Sequence, residues 1–430
     1  MSEQIFDDVA CTVCACVCDD LSVTVRDGRI VDYRPFCSRI GDWYQQQNSK
    51  AYPAAIRSGT EIPLGQAINE AAAILASSKS PLFYGLSQSS TDGQRAAVAL
   101  ADHLGATIDT TASEGHAPSI LALQQVGEST SSLGEIRNRA DLVIYWGSNP
   151  MRTHPRHMER YSMRQGMLTP NGRPDRTLVV VDADYTETAQ LADWHLPIEA
   201  GRDFEALWTL RCLLKNIEPP AGVPTGLPLE QLQILAEKMR NCRCGVIFFG
   251  YGLVLQSTGN HNVQALLELV TDLNQFTRFY ARRMRIAGDV SGADSVLCWQ
   301  TGYPFSVNLA RGYPRYGPEE YSAGDILERR EADVAVLIGS SRLDRFSSAA
   351  LNHLEQIPTI LLEHPYSDAP FEPTIRITTA VYGIHRQGTA YRMDEIPIPL
   401  RPILDSNHPT DGEILRAIHN SVNDILPDKR

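Results

Sequence analysis

The chain has 430 residues, a formal charge of −12 and 43% hydrophobic residues, enough for a large buried core and for two to four lobes. The acidic balance excludes sequence-independent nucleic-acid binding, which needs a basic face. No apolar run reaches the roughly 18–20 residues of a membrane span, and the acidic opening MSEQIFDDVA is no secretory signal, so a cytoplasmic protein with no membrane or nucleic-acid partner is expected.

The first element is CTVCACVCDD, with Cys11, Cys14, Cys16 and Cys18 close together and Cys37 following. A tight cysteine cluster in a large cytosolic chain points to metal rather than disulfides. Three ligands on one loop, C-x2-C-x3-C, and a distant fourth suit a [4Fe–4S] cluster better than the paired knuckles of zinc, which stays open as the alternative. The expected ligands are Cys11, Cys14, Cys18 and Cys37; Cys16 points away. Between them LSVTVRDGRIVDYRP alternates apolar and polar residues about a DG turn, which predicts a hairpin returning Cys37 to the loop.

Downstream, helical and strand patterns alternate. QAINEAAAILASSKS reads as a helix before the strand PLFYGL, and GQRAAVALADHLGA as a helix before TIDTT. ADLVIYWG and TLVVVDAD read as strands and DFEALWTLRCLLKN as a helix. Past the Pro/Gly segment PPAGVPTGLP come the strand CGVIFFGYG, the helix NVQALLELVTDLN, the strand ADVAVLIGSS and the helix–strand pair AALNHLEQIPTILLEH. Strands apolar throughout and alternating with helices predict an α/β fold of doubly wound parallel sheets behind a small N-terminal iron–sulfur lobe. The expected divisions are 1–55 (cysteine-rich lobe), 56–220 and 221–390 (α/β domains) and 391–430 (C-terminal segment). Ligands in such folds sit at strand carboxyl ends, so the turns WGSNP and IGSS are natural places to look.

These residues carry a resemblance over nearly the whole chain. CTVCACVCDD with CSRIGDW, TASEGHAPS, IYWGSNPMRTHPRHMERYS, VVDADYTETAQLAD, WQTGYPFSVNLARGYPRYGPEE and GIHRQGTAYRMD resemble the B subunit of formylmethanofuran dehydrogenase. That family belongs to the molybdopterin/tungstopterin oxidoreductases, which include formate dehydrogenases, and the resemblance implies their DMSO reductase-like fold. It implies a [4Fe–4S] cluster on Cys11, Cys14, Cys18 and Cys37, a pterin-dinucleotide pocket lined by Gly147, Ser148 and Asn149, and catalytic roles for His116 and Arg311 beside the metal.

Two departures stand out. In the stretch matching TASEGHAPS the family carries a metal-ligating cysteine before the histidine; here that position is Gly115, which has no side chain to ligate tungsten or molybdenum. Asp184 stands where an arginine is expected, and an aspartate repels a pyrophosphate. Tungsto- or molybdopterin binding is therefore in question. The expectation is a non-redox B subunit, similar to that of the bacterial formyltransferase/hydrolase complex of tetrahydromethanopterin-linked formaldehyde oxidation to formate. Its partners would be the hydrolase-like A subunit and the formyltransferase C and D subunits. An active dehydrogenase interconverting CO2 or formate with formylmethanofuran, or an electron-transfer [4Fe–4S] module, are the alternatives. Without a metal, His116 reads as a core histidine. His154 and His157 in THPRH read as a structural or anion-binding turn, Cys242 and Cys244 as buried thiols, and RFYARRMRI as a solvated edge or a phosphate or subunit contact.

Overall fold

The computed structural model describes residues 3–48, 52–256, 258–286, 288–340, 342–365 and 369–426. The expected outer segments 1–55 and 391–430 each include a few residues outside that set, as does Ser341 of the IGSS turn.

The chain divides into two units, one made of Met1–Glu114 with Ile286–Arg430 and the other of Gly115–Arg285, inserted between those two halves. The expected division near 220 does not coincide with this one. The Pro/Gly segment joins the helices Asp203–Leu214 and Leu229–Asn241, and both bury leucines (Leu207, Leu210, Leu232, Leu235) in one core. Its composition marks a surface connection inside a unit. The last helix, Asp411–Ile425, likewise packs Ile414, Leu415 and Ile418 into the main core of the discontinuous unit. A full capping box at Thr410 and Glu413 sets where it starts, satisfying donors that a helix N-terminus otherwise leaves open.

The N-terminal strands Glu3–Val9, Leu21–Arg26 and Arg29–Arg34 form an antiparallel sheet in chain order. The expected hairpin is its second half. Asp27 and Gly28 both have positive φ, 49° and 73°, the conformation a two-residue type I′ turn demands and Asp-Gly supplies.

The discontinuous unit is built on five parallel strands in the order Thr107–Thr110, Pro81–Gly85, Val334–Ile338, Thr359–Glu363 and Ile375–Thr378, with short antiparallel strands at the edges. The inserted unit has five parallel strands in the order Trp194–Leu196, Thr177–Val181, Leu142–Trp146, Cys244–Phe249 and Arg278–Arg283. Leu142–Trp146 and Cys244–Phe249 are buried at every residue, as central parallel strands must be. Each such aliphatic or aromatic side chain contributes about 1.5–3 kcal/mol by leaving water.

RFYARRMRI forms the edge strand of the inserted unit, but its later arginines are not solvated. Arg282 is 2% exposed and donates to Thr130 Oγ1 at 2.7 Å; Arg283 pairs with the buried Glu128 at 3.2 Å. Long side chains at a strand end can be buried when such partners satisfy them. Among the described residues, no helix is long and apolar enough to cross a membrane.

Candidate functional site

The cysteine loop occupies the connection between the first two strands of the N-terminal sheet. The backbone closes on itself, with Cys11 N donating to Cys18 O at 2.8 Å and Val17 N to Cys14 O at 3.1 Å. Cys37 follows the third strand, and Ile40 N donates to its carbonyl at 3.2 Å. All five cysteines are buried and none is in a disulfide. Burial pushes the Cys11 thiol well up, and the charges of Cys14, Cys18 and Cys37 push it further. Cys14, Cys18 and Cys37 each lie within electrostatic reach of Cys11. Cys16 does something else. A hydrogen bond from it brings the Cys14 thiol down to about 7, with Arg39 contributing. Four buried thiols of this kind are the donor chemistry of an iron–sulfur cluster. Among the described residues, no group of three or more His, Cys, Asp or Glu is drawn together to hold a metal ion.

Within the same unit, a cleft of about 150 Å³ opens where the sheet order reverses, at the carboxyl ends of Pro81–Gly85 and Val334–Ile338. Thr12 and Val13 of the cysteine loop line it with Ser87, Gln88, Asp289 and His364. Burial drives the Asp289 carboxyl up to about 7 and the His364 imidazole down to about 4, where His385 adds to the effect. Both groups are therefore held towards their neutral forms. Neither stood out in the sequence; the available signal was that His364 directly follows an all-buried strand.

In the inserted unit the order reverses between Leu142–Trp146 and Cys244–Phe249, so Gly147, Ser148 and Asn149 do lie at a switch point. Polar groups of Gly147 and Asn149 are already engaged. Gly147 N donates to Val181 O at 2.9 Å, extending the sheet. The Asn149 amide donates to Glu187, and its oxygen accepts from Thr188 Oγ1 at 2.7 Å. Trp146 Nε1 and Gln256 Nε2 each donate to the buried Asp203 at 2.7 Å. Asp182 and Asp184 follow the neighbouring strand, and burial raises the Asp182 carboxyl against the lowering effect of the hydrogen bond it accepts from Asp184 N at 3.1 Å.

His116 is buried at the N-terminus of the helix Ala117–Val126, and its ring centroid lies 5.3 Å from that of Tyr251. Beside it, a Cβ built on Gly115 would stand 2.5 Å from the Tyr251 hydroxyl and 3.0 Å from Cζ. That phenol fills the space a side chain at 115 would need. Nothing in the sequence paired these two positions. Position 115 therefore offers no side-chain donor atom. Arg311 belongs to the discontinuous unit and is exposed on the turn after Val307–Asn308.

The remaining candidates are structural. His154 shares a 2.6 Å hydrogen bond with Arg285 O, and His157 a 3.0 Å bond with Tyr145 OH, which also meets Ser162 Oγ at 2.8 Å. Cys244 is buried and Cys242 partly so, and burial raises both thiols.

Two parallel sheets with strand-end crevices and a separate antiparallel N-terminal sheet that carries the cysteine loop define a mixed α/β protein. No protein-family model matches the chain. Its fold is similar to that of acetylene hydratase from Pelobacter acetylenicus (TM-score 0.72, 13% identity, 97% of this chain and 69% of that one). It is also similar to a chain of the formyltransferase/hydrolase complex FhcABCD from Methylorubrum extorquens, crystallised with methylofuran (TM-score 0.73, 22% identity, 87% of this chain and 100% of that one). In sequence it is 38% identical to the B subunit of tungsten-containing formylmethanofuran dehydrogenase 2 from Methanocaldococcus jannaschii, across 98% of this chain and 100% of that protein. The chain belongs to the family of formylmethanofuran dehydrogenase B subunits.

Proposed function

We propose that this chain is a non-redox B subunit of a cytoplasmic formyltransferase/hydrolase complex in tetrahydromethanopterin-linked oxidation of formaldehyde to formate. The hydrolase-like A subunit and the formyltransferase C and D subunits carry the chemistry, and this chain frames them. The observation that carries the reading is Gly115. At the position where the resemblance places a metal-ligating cysteine there is no donor atom, and the Tyr251 phenol stands in the space beside it. The acidic strand ends around Asp182, Asp184, Glu187 and Asp203 support it, because they disfavour a pterin pyrophosphate beside Gly147, Ser148 and Asn149. In this reading His116 and Arg311 are inherited positions without a catalytic metal. The [4Fe–4S] cluster on Cys11, Cys14, Cys18 and Cys37 is an anchor, since metal ligation contributes folding energy to a small lobe.

A second reading, an active tungsten or molybdenum dehydrogenase, is favoured by the full-length identity to a tungsten-containing relative. Metal analysis of the anaerobically purified complex separates the two. About four irons per chain without tungsten or molybdenum supports the non-redox reading; stoichiometric tungsten or molybdenum overturns it.

A further inference from the structure

We infer that Tyr251 is the residue that closes position 115, so that the loss of the metal ligand is a two-residue change and not a single substitution. This rests on the reading of Gly115 above and extends it to a partner far away in the sequence. The contact is tight at three atoms. A Cβ on Gly115 would lie 2.5 Å from Tyr251 Oη, closer than real Cβ atoms come to a heavy atom, and 3.0 Å from Cζ and 3.1 Å from Cε1, tighter than most real contacts.

A tyrosine tip can in principle swing aside, so the backbone beneath it decides the matter. Tyr251 stands between Gly250 and Gly252, and both press on the turn after Leu142–Trp146. A Cβ on Gly250 would meet Gly147 O at 2.8 Å, and one on Gly252 would meet Gly147 Cα at 2.7 Å. Gly252 N also donates to Gly147 O at 2.9 Å. The Tyr251 backbone is thereby pinned and cannot retreat from Gly115. Only side-chain rotation is left to Tyr251, which opens the helical turn Tyr251–Val254. The ring also packs beside the buried His116, so rotating it away uncovers that imidazole. Tyr251 thus does two things: it occupies the ligand's space and it covers the histidine that would face a metal there.

The test is a double-mutant cycle on the full chain, co-purified with its partner subunits: Gly115→Ala, Tyr251→Ala and both together, followed by thermal unfolding. Gly115→Ala alone is expected to lower Tm by roughly 2–8 °C, as overpacking does. In the Tyr251→Ala background the same substitution should cost nothing. An equal drop in both backgrounds overturns the inference, and so does a Gly115→Ala protein as stable as the parent. If Gly115→Ala does not accumulate, the double variant decides: its recovery as folded protein supports the pairing, and its absence beside a folded Tyr251→Ala refutes it. Tungsten and molybdenum content of the parent complex is measured alongside. Bound metal with a coupled cycle would sink the non-redox reading and leave the packing inference standing; no metal with an uncoupled cycle would do the reverse.

Discussion

Asp289 Oδ1 accepts the amide of Tyr391 at 2.8 Å, and the same oxygen caps the helix Val290–Thr301 through Gly292 N at 2.8 Å. Oδ2 accepts from Gln94 at 3.3 Å. One carboxyl group therefore ties two helices to the strand Gly388–Tyr391, at the rim of the cleft that the cysteine loop helps to line.

Its protonation should be visible in stability. Burial lifts this carboxyl from 3.8 to about 7, against the lowering effect of its backbone hydrogen bonds. The unfolded chain loses the proton near the ordinary value and the folded chain keeps it longer. Between about pH 4 and pH 7 the folded state thus binds more protons, and stability falls as pH rises through that window, by up to about 1.4 kcal/mol per pH unit. Asp289→Asn keeps an acceptor oxygen and removes this titration. Its urea midpoint should change less between pH 5 and pH 8 than the parent's; equal slopes would exclude Asp289 as a source.

The cysteine loop gives a second prediction, because its five thiols are not equivalent. Cys11 is coupled to Cys14, Cys18 and Cys37, whereas Cys16 acts on Cys14 through a hydrogen bond. With the proposed cluster in place, Cys18→Ala or Cys37→Ala should strip iron from the anaerobically purified protein and expose the N-terminal sheet to protease. Cys16→Ala should retain the iron. Iron that follows Cys16 and ignores Cys18 would reassign the ligand set.

Gly147 gives a third. Its φ is +54°, and an added Cβ would stand 2.6 Å from Leu253 N and 2.8 Å from Gly252 C. Gly147→Ala combines left-handed strain with a collision against backbone that cannot move aside. A loss of about 3 kcal/mol or more is expected in denaturant unfolding. A loss under about 1 kcal/mol would show that the two strand-end turns are not in the close contact described.

Much of the architecture was legible because central parallel strands are apolar along their whole length. PLFYG, LVIYW, TLVVV, CGVIFF, VAVLI and TILLE announce themselves without reference to the rest of the chain. RFYARR did not, because Arg282 and Arg283 find partners in Thr130 and Glu128 on a distant segment. The division into units was also illegible. Proline and glycine near 220 report an exposed turn, whereas the true breaks at Glu114/Gly115 and Arg285/Ile286 fall in stretches with no unusual composition. At the candidate site the missing thiol at Gly115 could be read from one position. The phenol that fills its place could not, since a contact across the fold leaves no local trace. Asn149 shows the converse: its type suits a ligand, and only the fold reveals that Glu187 and Thr188 hold its amide.

The insertion of Gly115–Arg285 has a consequence for biosynthesis. Pro81–Gly85 lies against Val334–Ile338, which leaves the ribosome long afterwards. The inserted unit is continuous in sequence, so all five of its strands are available while the outer sheet still lacks its central neighbour. Domains generally fold as units during synthesis, and here the middle of the chain is complete first. The first 114 residues then wait, with the apolar edge of Pro81–Gly85 uncovered, until the last third of the polypeptide emerges. A nascent chain stalled between these points is where chaperone capture should concentrate.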